Sequence, residues 1–199
     1  MMLIKCISKY GKDLPAELIN SQTGFTKNTE FDLEVNQQFK VYALVFYSGY
    51  VWYFICPMPS DKIPFWYPSP LFVTLDNRMS RYWVYSTNTD EYATPIRGLI
   101  TFPEWANDPS YYDYLVDREK IEVEIFKKYK LLMDIEFPDP EVTEKATALE
   151  DGWAMCPTCI DAWQPNPLDG MTVCPICNQT MHNPYYRDFF TTHQVNSLT

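Results

Sequence analysis

Apolar and polar residues alternate through much of the first 90 residues. In "EFDLEV" (30–35) Phe31, Leu33 and Val35 fall on one side and acids on the other, the period-two signature of a half-buried strand. "MLIKCIS" (2–8) alternates in the same way and predicts a first strand, whereas "GKDLPAELINSQTG" carries turn formers without a period and predicts a loop. "FKVYALVFY" and "YVWYFIC" are apolar runs separated by Ser48-Gly49, which predicts a hairpin. In "FWYPSPLFVTLD", Pro68 and Pro70 confine the expected strand to residues 71–75, and "RYWVYST" (81–87) supplies another.

The period changes after Leu99. Ile121, Ile125, Tyr129 and Leu132 recur at spacings of four and three, which predicts a helix with one apolar face. Glu124 and Lys128 form an i,i+4 pair in the favourable order, and Pro138 and Pro140 stop the helix. The expected fold class is therefore α+β: a small antiparallel SH3-like barrel or bent sheet with one or two C-terminal helices, in residues 1–137. Residues 138–151, "PDPEVTEKATALED", hold five acids, one lysine and no aromatic, and read as an acidic linker to a last module over 152–199.

That module contains four of the six cysteines as "CPTC" and "CPIC", with fourteen residues between the pairs. Two residues between cysteines let both thiolates of a pair face one ion from a tight turn, and two such turns complete a tetrahedron. Pro157 and Pro175 stand where a backbone N–H is not needed. Asn178 follows the second pair and tolerates a left-handed backbone; Ile160 follows the first, where glycine is usual. Residues 151–185 resemble a zinc ribbon, and the resemblance implies one structural Zn2+ held by Cys156, Cys159, Cys174 and Cys177. Rubredoxin-like iron is the alternative metal. A thioredoxin-type redox pair would leave the second CxxC unexplained, and no βαβ pattern surrounds the first. A closed four-cysteine site has no open position for water or substrate, so its metal holds the chain rather than doing Lewis-acid chemistry. Trp153 and Trp163 are expected to pack over it.

Charge narrows the partners. With 26 acidic against 16 basic residues the chain carries a formal charge of −10. Such a surface repels phosphate backbones and anionic membranes and suits a basic protein. The first residues, "MMLIKCISKYGKDLP", lack a signal-peptide h-region, and no run approaches the roughly 18 apolar residues of a membrane span, so a cytoplasmic protein is expected.

Catalytic groups are scarce. Two histidines, His182 and His193, fall after the cysteines, and no GxSxG, P-loop, HExxH or GxGxxG is present. Cys6 and Cys56 sit in strand patterns as buried reduced thiols, and Asp61, Asp76, Glu104 and Asp108 lie in loops as surface charge. A protein without enzymatic activity is expected. "FWYPSP" and "SYYDY" set large rings beside prolines and turns, and Phe65, Trp66, Tyr67, Tyr111 and Tyr112 are the candidate partner-binding residues.

The order of "EFDLEVNQQFKVYAL", "GYVWYFI", "SRYWVY" and "FPEWANDP" is similar to that of small bacterial immunity proteins of polymorphic toxin systems. The resemblance implies a compact cytoplasmic protein that neutralises a basic toxin by binding it. The expected function is a non-enzymatic protein-binding module with a structural zinc ribbon. The other reading is a zinc-ribbon adaptor that binds nucleic acid or a transcription or translation assembly.

Overall fold

The longest apolar run of the chain becomes its longest strand, and the rest of the sheet is arranged around it. The computed structural model describes residues 2–20, 23–58, 60–87 and 96–187. These fall in two compact units, Met1–Met133 and Asp134–Thr199. The first unit holds β1 (Leu3–Cys6), β2 (Gln38–Tyr47), β3 (Tyr50–Ile55), β4 (Phe65–Pro68), β5 (Phe72–Asp76), β6 (Val84–Ser86) and β7 (Ile96–Thr101), all in one antiparallel sheet.

Strand β2 is ten residues long and buried continuously from Val41 to Val45, as a strand covered on both faces must be. Its first three residues pair with β1, Leu44–Tyr47 pair with β7, and Val41–Tyr47 pair with β3. A register shift between Val41 and Ala43 lets this one strand serve both parts of the sheet. The main path runs β4-β3-β2-β1-β5 and its two ends do not pair, so the sheet is the open, bent form and the SH3-like barrel is not formed.

The β2–β3 hairpin forms where the sequence predicts it. Ser48 and Gly49 have φ of 51° and 80°, the pair of positive values that matches a two-residue turn to the twist of its strands. Three other segments depart from the sequence expectation. Residues 30–35 form no strand: Glu30 makes a single bridge to Tyr10, and the Leu33 N–H bonds back to the Phe31 carbonyl at 2.8 Å. Phe31 and Leu33 are buried while Val35 is exposed, so the alternation marks a loop pinned by two side chains. Phe65–Pro68 is a strand after all, because β4 is an end strand and Pro68 stands at its last position. Strand β7 is unexpected; its "IRGLIT" is interrupted by Arg97 and by Gly98, over which the Tyr85 ring lies so closely that a Cβ would meet it at 2.8 Å.

Among the described residues three α-helices follow where one or two were expected: α1 (Pro103–Ala106), α2 (Tyr111–Val116) and α3 (Lys120–Glu136). Asp108 accepts the Ser110 N–H at 2.9 Å in the turn between α1 and α2, and Arg118 at φ 63° breaks the chain before α3. The buried face of α3 is Phe126, Tyr129 and Met133; Ile121, expected on that face, is 70% exposed.

The second unit carries the short strands β8 (Thr147–Ala148), β9 (Ala154–Met155), β10 (Ala162–Trp163), β11 (Met171–Val173) and β12 (Thr180–His182). They form a three-stranded sheet, β10-β9-β8, and a two-stranded one, β11-β12. Within the stretch read as a linker, β8 pairs with β9, Ala146 is buried, and Lys145 bridges His182.

Candidate metal centre

Each cysteine pair sits in the turn of its own hairpin, "CPTC" between β9 and β10 and "CPIC" between β11 and β12. The two turns close with the same hydrogen bonds. The Cys156 N–H donates to the Asp161 carbonyl at 2.9 Å and the Ile160 N–H to the Cys156 carbonyl at 3.0 Å; Cys174 to Gln179 and Asn178 to Cys174 repeat both distances. Ile160 and Asn178, the residues after each pair, have φ of 63° and 59°. Asn178 meets the expectation for that position. Ile160 adopts the same left-handed backbone with a β-branched side chain that disfavours it, and that side chain is 72% exposed.

These turns bring the four sulfurs within 4.8 Å of one another. The close contacts cross between hairpins: Cys156 Sγ to Cys177 Sγ is 3.7 Å and Cys159 Sγ to Cys174 Sγ is 3.4 Å. A tetrahedron with metal–sulfur bonds of about 2.3 Å has edges of about 3.8 Å, so the four thiols lie at metal-binding distance. Cys156 and Cys174 are buried, and Cys159 and Cys177 face solvent. Behind the buried pair lie Ala146, Ala154 and Met181, with Trp163 and Tyr185 packed against them. Trp163 Nε1 donates to Thr172 Oγ1 at 3.0 Å. Trp153, expected beside it, is 41% exposed and is not part of that cluster.

Electrostatics favour a cation at the centre. The backbone N–H of Cys159 pulls the Cys156 thiol down to about 7, against desolvation and with help from the Thr158 N–H. The Asp161 N–H favours the Cys159 thiolate, yet local desolvation and the sulfurs of Cys174, Cys177 and Cys156 outweigh it and push that thiol up to about 12. Cys177 is raised as well: its Gln179 N–H is outweighed by desolvation and by Cys174 and Cys156. Four sulfurs this close cannot all carry charge alone, and a divalent ion removes the conflict.

The Ile160 backbone gives a direct test of the local geometry. Ile160→Gly removes an exposed side chain and a left-handed penalty of about 1–2 kcal/mol, partly offset by the greater freedom of glycine in the unfolded chain. The expected result is a gain of about 1 kcal/mol in the stability of the second unit, read by chemical denaturation. A loss of stability would show that the left-handed turn is not what Ile160 adopts in solution.

Other sequence candidates have structural employment. His182 lies with Nε2 2.6 Å from the Val142 carbonyl, and the metal-competent cluster does not include it; His193 falls outside the described residues. Cys6 is buried, its thiol held up by desolvation and donating to the Ser8 carbonyl at 3.3 Å. Cys56 is half-buried, 3.8 Å from the Ile63 carbonyl. Asp61 accepts the Met58 N–H, Asp76 pairs with Arg78, Asp108 holds its own turn, and Glu104 bonds the Tyr129 hydroxyl.

The aromatic candidates divide. Phe65 is 43% and Trp66 36% exposed, with Trp66 packed 5.0 Å from the Trp52 ring. Tyr112 is half-buried, stacked on Trp105 and bonded to the Pro64 carbonyl. Tyr67 and Tyr111 are buried, and the Tyr111 hydroxyl donates to the Glu122 carbonyl at 2.9 Å; they are core residues rather than a binding platform. Their neighbours decide this: Tyr67 lies against Phe31 and Phe72, Tyr111 against Phe102 and Trp105. Sequence reasoning missed Thr158 and Gln179, which meet across the site; their polar character beside equivalent cysteine turns is the only signal the chain offers for them.

Set against known proteins, the chain matches no family model, no curated protein and no solved structure. The fold and the site define an α+β protein carrying a cluster of four cysteines at metal-binding distance on paired hairpins. Among the described residues no helix is long and apolar enough to cross a membrane.

Proposed function

We propose that this chain is a non-catalytic binding protein whose second unit is a zinc ribbon closed by one structural Zn2+ ion. The observation that carries the reading is the set of four sulfurs, supplied in equal pairs by two matching turns and lying within 4.8 Å of one another. Four thiolates suit zinc, and they leave no coordination position for substrate. The partner is a basic protein, drawn by the formal charge of −10, and Phe65 and Trp66 are the exposed rings offered to it. Neutralisation of a basic toxin, in the manner of the immunity proteins that residues 2–137 resemble, is the form of binding proposed, in the cytoplasm.

Elemental analysis of protein purified without added metal is expected to give one zinc per chain. A value near zero overturns the ribbon, and stoichiometric iron replaces zinc by a rubredoxin-like site. An affinity pull-down from nuclease-treated lysate is expected to retain one basic protein near 1:1, less at moderate than at low salt. Recovery of nucleic acid from the untreated sample, with no protein partner, overturns the binding reading in favour of a zinc-ribbon adaptor.

A further inference from the structure

The two cysteine turns are equivalent position by position at a displacement of 18 residues, and one side carries a contact that the other lacks. Cys156 corresponds to Cys174, Thr158 to Ile176, Cys159 to Cys177 and Asp161 to Gln179. Across the site the Thr158 hydroxyl donates to Gln179 Oε1 at 2.5 Å, and that same amide end lies 4.0 Å from Cys156 Sγ. At the matching positions stand Ile176, which has no hydrogen-bonding group, and Asp161, a carboxylate. The strap is one-sided.

We infer that Gln179 is a positioning residue for the metal, its amide tying the second hairpin to Thr158 of the first while standing against the sulfur of Cys156. This rests on the metal reading above. A metal-bound sulfur carries no proton and can only accept hydrogen bonds. A half turn of the amide exchanges Oε1 for Nε2, which then has two N–H groups, one for the sulfur and one for the Thr158 oxygen. Donors to a charged sulfur are the strong kind, and such outer contacts are commonly worth about 10–100-fold in metal affinity. Gln179 therefore does two things at once: it fixes the spacing of the hairpins and spreads the negative charge of one ligand.

The test uses the full chain loaded with one zinc, with release timed by transfer to the chromogenic chelator 4-(2-pyridylazo)resorcinol. Gln179→Leu and Thr158→Val are each expected to speed release about tenfold, and the double variant to be no faster than Gln179→Leu. Gln179→Glu keeps an acceptor for the Thr158 hydroxyl but has no N–H and brings a charge toward the sulfur. It is expected to release faster than Gln179→Leu, whereas a purely mechanical strap would survive this change. With Co2+ in place of zinc, Gln179→Leu is expected to move the sulfur-to-cobalt charge-transfer band to longer wavelength, because losing the N–H raises the energy of the sulfur electrons. Release and band unchanged in Gln179→Leu, rates that multiply in the double variant, or wild-type release in Gln179→Glu each overturn the inference. A wild-type chain that retains no metal overturns the metal reading instead, an outcome distinct from zinc retained with unaltered release.

Discussion

Cys174→Ser is expected to abolish stoichiometric metal binding and to unfold residues 138–187, while the sheet of the first unit keeps its thermal transition. Cys174 is buried and stands 3.4 Å from the Cys159 sulfur, inside the four-sulfur cluster. A serine hydroxyl is a shorter, harder ligand that stays protonated and leaves three sulfurs around a divalent ion. Apart from the cysteines, the cluster around the site consists of Ala146, Ala154 and Met181 with Trp163 and Tyr185 partly buried against them, too little surface to order this many short strands. A structural zinc contributes about 10–16 kcal/mol of binding free energy to folding, and losing most of it exceeds what so small a core supplies. Elemental analysis reads the metal, and limited proteolysis with a thermal melt reads the two units. One metal per chain in the variant would show that Cys174 is not a ligand. A single shared melting loss would show that α3, which crosses the boundary from Met133 to Asp134, carries unfolding from one unit into the other.

The four-cysteine cluster was the most legible part of the chain because its information is local. Four cysteines, two prolines and an asparagine specify two turns, and each turn needs only its own six residues to form. The β2–β3 hairpin is readable for the same reason, through Ser48-Gly49. Where the structure departs from the sequence pattern, the deciding contact is distant. Phe31 and Leu33 alternate like a strand, but their backbone has no partner strand and only their side chains reach the core. Strand β7 exists because β2 offers it an edge, which nothing in "IRGLIT" announces.

The acidic segment shows how composition can hide structure. Residues 138–151 count as solvated charge, and most of their side chains are exposed. Yet Ala146 is buried, the Ala146 N–H bonds the His182 carbonyl at 3.1 Å, and the His182 N–H returns to the Glu144 carbonyl at 2.8 Å. One small apolar residue, the bonds to His182 and the pairing of β8 with β9 fix a stretch that its charges describe as free. Two of the aromatic candidates depart in the opposite direction. Tyr67 and Tyr111 lie in the same short motifs as the exposed Phe65 and the half-buried Tyr112, and sequence alone does not say which ring turns inward.

Phe102→Ala is expected to destabilise the first unit by about 3–5 kcal/mol while leaving one metal per chain. Phe102 is fully buried, stacked on the Tyr129 ring at 4.2 Å and 5°. It also meets Trp105 at 5.8 Å and Tyr111 at 5.6 Å edge-on, so it ties α1, α2 and α3 together just after β7. Truncation removes the transfer free energy of the ring and leaves a space that three large aromatic neighbours cannot close without leaving their own contacts. Against a total stability of about 5–15 kcal/mol this is a large fraction, on the order of 10 °C or more in melting temperature. Phe102→Leu keeps much of the volume and should recover more than half of the loss; Phe65→Ala, at an exposed ring, should cost under about 1 kcal/mol. A melting temperature unchanged by Phe102→Ala would remove Phe102 from the core. Loss of the metal along with the sheet would mean that the four cysteines depend on the aromatic core of the first unit, and that the second unit cannot hold an ion alone.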